Sequence, residues 1–183
     1  MGTKTLLSVE EYMNLPDDEG VQHELHEGEV VEMAAPKHRH TILALRVYDP
    51  IRDYLKSHPL GAVYVEAGAK LTEREPRQTV LQPDVSYYRK AKIDIIPPDG
   101  YAGIPDLAVE VISPSEYAAL VNRKKNYYLR ALVESLWLIF DESREVQVLR
   151  EGELTRLTAP SGVLADPVLF PGWQGIDLGN LFE

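Results

Sequence analysis

Residues 105–115 run Pro105-Asp106-Leu107-Ala108-Val109-Glu110-Val111-Ile112-Ser113-Pro114-Ser115, with Glu116 next. From Ile104 to Ile112 the segment is nearly continuous in Leu, Val and Ile, the pattern of a strand covered on both faces, which puts the centre of a sheet here. Ser113 then offers an N-cap, Pro114 a first helical residue and Glu116 a capping-box partner. These start a helix that should run to about Leu132. The next apolar segment, Ser135 to Phe140, reads as another strand, so strand, helix and strand follow one another directly.

Outward from this unit, Gly61 to Thr72 and Thr79 to Tyr88 each read as a strand. His40 to Leu55 places Leu43, Val47, Ile51, Tyr54 and Leu55 at helical spacing, interrupted by Pro50, and so predicts one kinked helix or two short ones. Glu24 to Met33 has strand character broken at Glu27-Gly28, as in a hairpin or bulge. Ser8 to Leu15 is a short helix with Ser8 and Glu11 as its capping box and Pro16 at its end. Beyond Phe140, a polar turn from Asp141 to Arg144 leads to a strand at Glu145 to Arg150 and a weaker one near Leu154 to Leu157. A Gly- and Pro-rich remainder wraps the surface. The order predicts one domain over residues 1–183, of α/β or α+β class, with a mixed central β-sheet flanked by helices.

The chain's 183 residues are enough to build a core without disulfides or metals. Apolar residues make up 44% and charged residues 26%, which excludes wholesale disorder and fibrous repeats. There is no cysteine, so thiolate chemistry, disulfide scaffolds and thiolate zinc sites are excluded. No apolar run is long enough to span a membrane, and Met1 to Leu15 does not read as a signal peptide. A cytoplasmic protein without a membrane partner is the expectation.

Chemistry concentrates on a few acids. Asp106 and Glu110 share a strand face but stand about 13 Å apart, at roughly 3.3 Å per residue, too far to hold one ion. Asp84, in Pro83-Asp84 on the preceding predicted strand, is the natural partner for Glu110. Glu110 lies within Leu-Ala-Val-Glu-Val-Ile, where a buried carboxylate calls for a metal, lysine or arginine beside it. Asp106 follows Pro105 at the start of the strand, where water should reach it. On a helix through Tyr117, the side chains of Leu120, Val121, Tyr128, Ala131 and Leu132 fall within about 60° of Tyr117, and Lys124 falls inside that sector at about 20°. Lys124 should therefore point back at the sheet, while Lys125 lies near the sector's edge.

These residues resemble the PD-(D/E)XK nuclease superfamily and, within it, the Uma-two family of restriction-endonuclease-like proteins. The resemblance rests on His-Glu-Leu-His-Glu-Gly-Glu-Val-Val at 23–31, Pro36-Lys37-His38, Gln82-Pro83-Asp84-Val85 and the 105–115 segment. Lys124 with Tyr128, Leu136-Trp137-Leu138-Ile139, Asp141 and Pro171-Gly172 extend it over nearly the whole chain. It implies a restriction-endonuclease-like core and a Mg2+-dependent (or Mn2+-dependent) endonuclease acting on DNA. Asp84 and Glu110 would be the metal ligands, Glu24 an additional metal-binding acid, and Lys124 a catalytic lysine moved to the helix, since the superfamily's usual lysine position holds Ile112. The chain departs from the family at Leu120, often Asp, at Arg123, often Glu, and at Leu132, which replaces a helix-end glycine. The alternative is a catalytically idle module that binds nucleic acid or dimerises. Cutting both strands of a duplex would need two sites, so a homodimer is expected.

Other constellations are weaker. His23-Glu24-Leu25-His26 has its histidines one residue too close for a zinc-protease helix. His38 and His40 precede a helix beside Lys37 and Arg39, where phosphate contact or solvent exposure is the better reading. The net charge of −10 argues against a generally basic nucleic-acid binder, yet residues 1–36 hold nine acids and one lysine, leaving −2 for residues 37–183. Bases cluster at Lys37 to Arg39, at Arg89 to Lys92 and at Arg123 to Lys125, and could line one cleft. Lys37, His38, Arg39, Arg123 and Lys125 are the candidate nucleic-acid contacts.

Overall fold

In the computed structural model, the described residues are 6–16, 21–71, 78–94, 96, 101–113 and 118–183. The elements are α1 (Val9–Met13), β1 (Gln22–His26), β2 (Glu29–Met33), α2 (His38–Ser57), β3 (Gly61–Val65), β4 (Ala69–Lys70), β5 (Val80–Leu81), β6 (Val85–Arg89) and α3 (Lys90–Ile93). They continue with β7 (Leu107–Ile112), α4 (Ala118–Arg130), β8 (Ser135–Phe140), β9 (Glu145–Arg150), β10 (Glu153–Thr158), β11 (Val163–Leu164), β12 (Ile176–Asp177) and α5 (Leu178–Phe182).

The main sheet has six strands in the order β10-β9-β8-β7-β6-β3. β7 and β8 are parallel, with α4 between them, and the other pairs are antiparallel, so the sheet is mixed and centred on the segment that sequence places there. Alternation along β7 divides the core. Leu107, Val109 and Val111 join Leu43, Val47 and Ile51 of α2 together with Phe170 and Leu181 near the C-terminus. Ala108 instead joins Tyr127 and Tyr128 of α4, Leu136 and Leu138. By the same period of two, Glu110 faces α4.

A smaller sheet, β2-β1-β5-β4, stands beside this layer. The β1–β2 hairpin turns at Glu27 (φ 53°) and Gly28 (φ 88°), the left-handed pair that a two-residue turn needs. α1 carries the expected capping box, and α2 runs as one helix through Pro50.

Several readings need correction. The two long strands expected at 61–72 and 79–88 are each broken, with one part in each sheet. The first breaks at Glu66, whose φ of 49° is left-handed, and the second at Pro83, which has no N–H to continue a ladder. The capping residues Pro114 to Glu116, Tyr117 and Thr72 lie outside the described residues. Leu132 does not join the apolar stripe. α4 ends at Arg130, and Leu132 follows in left-handed backbone (φ 60°) with 84% of its surface exposed.

Asp106 is buried rather than wet, because the backbone N–H of Arg89 and the side chains of Arg89 (2.7 Å) and Lys92 (2.9 Å) close over it. Arg89 also reaches Glu134, which Arg150 holds in turn, and Arg150 pairs with Asp166. This ionic network staples the end of β6 and β7 opposite to Asp84. The Arg89 to Lys92 bases therefore do not line a common cleft with the other two clusters.

Candidate functional site

Asp84 immediately precedes β6, and the pairing of Val85 with Val109 brings it level with Glu110 on β7. Both line one cleft of about 290 Å3, together with Glu24, His40, Lys124, Lys37 and Gln82 among others. Two donors grip the Asp84 carboxylate. His40 Nε2, from the first turn of α2, is 2.6 Å from Oδ1, and the backbone N–H of Val111 donates to Oδ2 over 2.6 Å.

Glu110 is buried, and each of its oxygens has a partner. Lys124 Nζ lies 2.6 Å from Oε2, and the Tyr128 hydroxyl donates to Oε1 over 2.5 Å. Lys124 and Tyr128 stand one turn apart on α4, so one helix face delivers both. Glu24, on β1 and equally buried, accepts from the backbone N–H of Gln82 (2.9 Å) and from Lys124 (3.2 Å) on Oε1, while His26 Nε2 lies 2.8 Å from Oε2. The ammonium of Lys124 thus bridges carboxylates from the two sheets.

The electrostatics follow from three acids around one cation. Burial, with Asp84 and Glu24 adding repulsion, outweighs Lys124 and pushes the Glu110 carboxyl up to about 8. Burial would also raise Glu24, but Lys124 and the hydrogen bonds from His26 and Gln82 prevail and hold it down at about 2. Burial opposes the charge on Lys124, yet Glu110 and Glu24 raise its pKa above the usual lysine value. Tyr128 is raised far above a normal phenol, first by burial and then by Glu110.

Sequence reasoning brings Glu24, Asp84, Glu110 and Lys124 to one cleft, and the structure places all four there. Its nucleic-acid candidates are scattered. Lys37 lines the cleft and is exposed, and His38 and Arg123 are exposed outside its lining, with Lys125 half-buried. Arg39 is a structural clamp instead. Its guanidinium grips both oxygens of Asp141 at 3.1–3.2 Å and donates to the Phe182 carbonyl at 2.8 Å, tying α2 to the C-terminus. Residues that the sequence leaves out of the site are His40, His26 and Tyr128. Tyr128 carries a signal, since it shares the Lys124 face of the helix.

The donor set fits a hard divalent cation. Two carboxylates stand at one height on adjacent strands beside an open cleft, and each oxygen that accepts one hydrogen bond keeps a second lone pair. Among the described residues, no group of three or more His, Asp or Glu side chains forms a ready cage. Mg2+ does not require one, since one or two carboxylates with waters and phosphate oxygens suffice.

The sequence profile of a family named Uma2 and described as "Putative restriction endonuclease" matches residues 9–179. No curated protein matches the chain. Among solved structures, a protein from Anabaena variabilis, titled a putative nuclease belonging to DUF820, superposes with a TM-score of 0.80 at 19% identity, covering 96% of this chain and 97% of that one. At that identity the likeness establishes the fold, and the chemistry has to be argued from the site.

Proposed function

This chain belongs to the Uma2 family, and from that membership we propose that it is a metal-dependent endonuclease that hydrolyses phosphodiester bonds in DNA. The observation that carries the reading is the meeting of Asp84, Glu110 and Lys124, drawn from the entry to β6, from β7 and from α4, in one cleft.

Asp84 and Glu110, with the backbone carbonyl near Val111, would hold Mg2+ or Mn2+, and Glu24 would complete the acidic shell directly or through water. A bound cation at this position supplies polarisation of the phosphate and a lowered pKa for an attacking water. The protein's own groups do the rest. His40 and the Val111 N–H fix the Asp84 carboxylate in one orientation, so little reorganisation is needed when a substrate arrives. Lys124, kept charged by its two glutamates, is placed to orient a water or to stabilise negative charge developing on phosphate oxygens. Lys37 at the rim offers a phosphate contact, with His38, Arg123 and Lys125 as further candidates outside the cleft.

The test is nicking of supercoiled plasmid with Mg2+ or Mn2+ by the wild type and by Asp84→Ala and Glu110→Ala. Metal-dependent nicking lost in both variants is the expected result. Undiminished nicking in either variant would remove that residue from the site. Metal-dependent thermal stabilisation with no nicking of duplex or single-stranded DNA would point instead to an idle nucleic-acid-binding relative.

A further inference from the structure

One turn before Lys124, α4 presents Leu120, which has no acceptor for an ammonium group. The direction of Lys124 must come from elsewhere. Its partners are Glu110, which the proposed chemistry commits to a cation, and Glu24. Glu24 is itself held. Its Oε1 accepts from the Gln82 N–H and from Lys124, and Oε2 faces His26 Nε2 at 2.8 Å. His26 is fully buried at its side chain, with its ring edge-on to Tyr127 at a centroid distance of 5.4 Å. Its other nitrogen, Nδ1, is buried and has no hydrogen-bond partner among the described residues. A buried polar atom without a partner is a cost that packing alone does not explain. It follows naturally if the ring is there for Nε2, which carries the hydrogen and donates it to Glu24, leaving Nδ1 as a bare acceptor.

We propose that His26 is a positioning residue for Lys124, acting through Glu24. Its Nε2–H fixes one carboxylate oxygen so that the other stands against the lysine ammonium. The row His26, Glu24, Lys124, Glu110 and Tyr128 is buried throughout, and each neighbouring pair is in contact at 2.5–3.2 Å. β1, in the smaller sheet, supplies its first two members, and β7 and α4 supply the others. The small sheet is thereby part of the site, where it substitutes for support that α4 lacks at Leu120. This assigns Glu24 first to the lysine and only secondarily to a cation. The inference rests on the nuclease reading only for what Lys124 does once it is aimed.

The experiment uses the full chain and compares His26→Gln, which keeps an N–H at similar reach, with His26→Leu, which keeps the bulk and removes the donor. Metal-dependent plasmid nicking should fall about tenfold or more in kcat for His26→Leu, with KM for plasmid and the Mn2+ activation constant little changed, and should recover largely in His26→Gln. A second readout needs neither metal nor activity. The side-chain ammonium signal of Lys124 in a 15N–1H spectrum, assigned by its loss in Lys124→Met, should shift or broaden in His26→Leu and stay in place in His26→Gln. If His26→Leu fails to fold, His26→Asn, too short to reach Glu24, takes its place with the same expected losses. An unmoved ammonium signal in the donor-less or shortened variant overturns the proposal, as does a rate equal to wild type. Absence of nicking by the wild type overturns the nuclease reading, and the ammonium signal then decides the positioning role by itself.

Discussion

His40 Nε2 stands 2.6 Å from Asp84 Oδ1, so the first turn of α2 grips the carboxylate that enters β6. With the Val111 N–H on the other oxygen, Asp84 is oriented from both sides. Removing one grip should leave a carboxylate that samples more rotamers and binds a cation less well. His40→Ala should weaken metal activation of nicking by about 10- to 100-fold, the usual range for a residue that orients a ligand, and His40→Gln should lose less. Titrating the nicking rate against Mn2+ reads this directly. An activation constant equal to wild type in His40→Ala would show that the Val111 N–H suffices.

In the proposed site, Glu110 would give metal binding a pH dependence whose sign is fixed. Its carboxyl is pushed up to about 8 in the metal-free fold, by burial first and by Asp84 and Glu24 next. A raised carboxyl contributes stability that is present at low pH and is lost as pH rises towards its folded pKa, so metal-free protein should lose stability across that interval. A cation needs the ionised carboxylate, and below this pKa the proton competes with it. The thermal upshift caused by a fixed Mn2+ concentration should therefore grow from about pH 6 to about pH 8 and flatten above that. Glu24 behaves oppositely. Its carboxyl is held at about 2, so its contribution is constant at neutral pH and is lost only as pH falls from the ordinary carboxylate range towards that value. An upshift that is flat, or falls, between the two neutral pH values would detach Glu110 from the cation.

Lys37 and Arg39 are two residues apart and should respond differently to the same substitution. Lys37 is exposed at the cleft rim, whereas Arg39 spends its guanidinium on Asp141 and the Phe182 carbonyl. Lys37→Ala should lower the salt slope of duplex binding by about one unit, as loss of a single phosphate contact does. Arg39→Ala should leave that slope unchanged and lower the melting temperature. Fluorescence anisotropy of a labelled duplex over a series of salt concentrations, paired with thermal melts, separates the two. A fall in slope for Arg39→Ala would return Arg39 to the interface.

The legible part of the site was the part with local periodicity. The apolar run around Glu110 identified a strand buried on both faces, and helix arithmetic turned Lys124 towards it; both follow from neighbours within one element. Pairing Asp84 with Glu110 needed only the assumption that consecutive strands lie side by side, which β6 and β7 do. His26 and His40 were not legible in this way. His40 acts on Asp84, a carboxylate of another segment that no spacing within α2 reports, and although His26 shares a face of β1 with Glu24 two residues away, nothing in that spacing reports that Glu24 will be buried against Lys124. The division of 61–72 and 79–88 between two sheets was hidden for a related reason. Alternation says that a segment is extended, while the breaks at Glu66 and Pro83 decide which neighbour each half meets. Basic clusters were the least informative, because a guanidinium that binds phosphate and one that clamps Asp141 look identical in sequence.

Leu132 offers a stability test away from the chemistry. It follows α4 with φ 60° and 84% exposure, so it bears the cost of left-handed backbone without burying its side chain. For a residue with a Cβ that cost is about 1–2 kcal/mol, and glycine avoids it. Glycine also gives the unfolded chain more freedom, which takes back about 0.4–1 kcal/mol. The balance favours Leu132→Gly by up to about 1.5 kcal/mol, seen as a higher urea midpoint with an unchanged slope. A lower midpoint would mean that the leucine side chain makes stabilising contacts in solution that its exposure in the monomer does not show. Self-association is the first such contact to test, and a midpoint that rises with protein concentration in the wild type but not in Leu132→Gly would identify it.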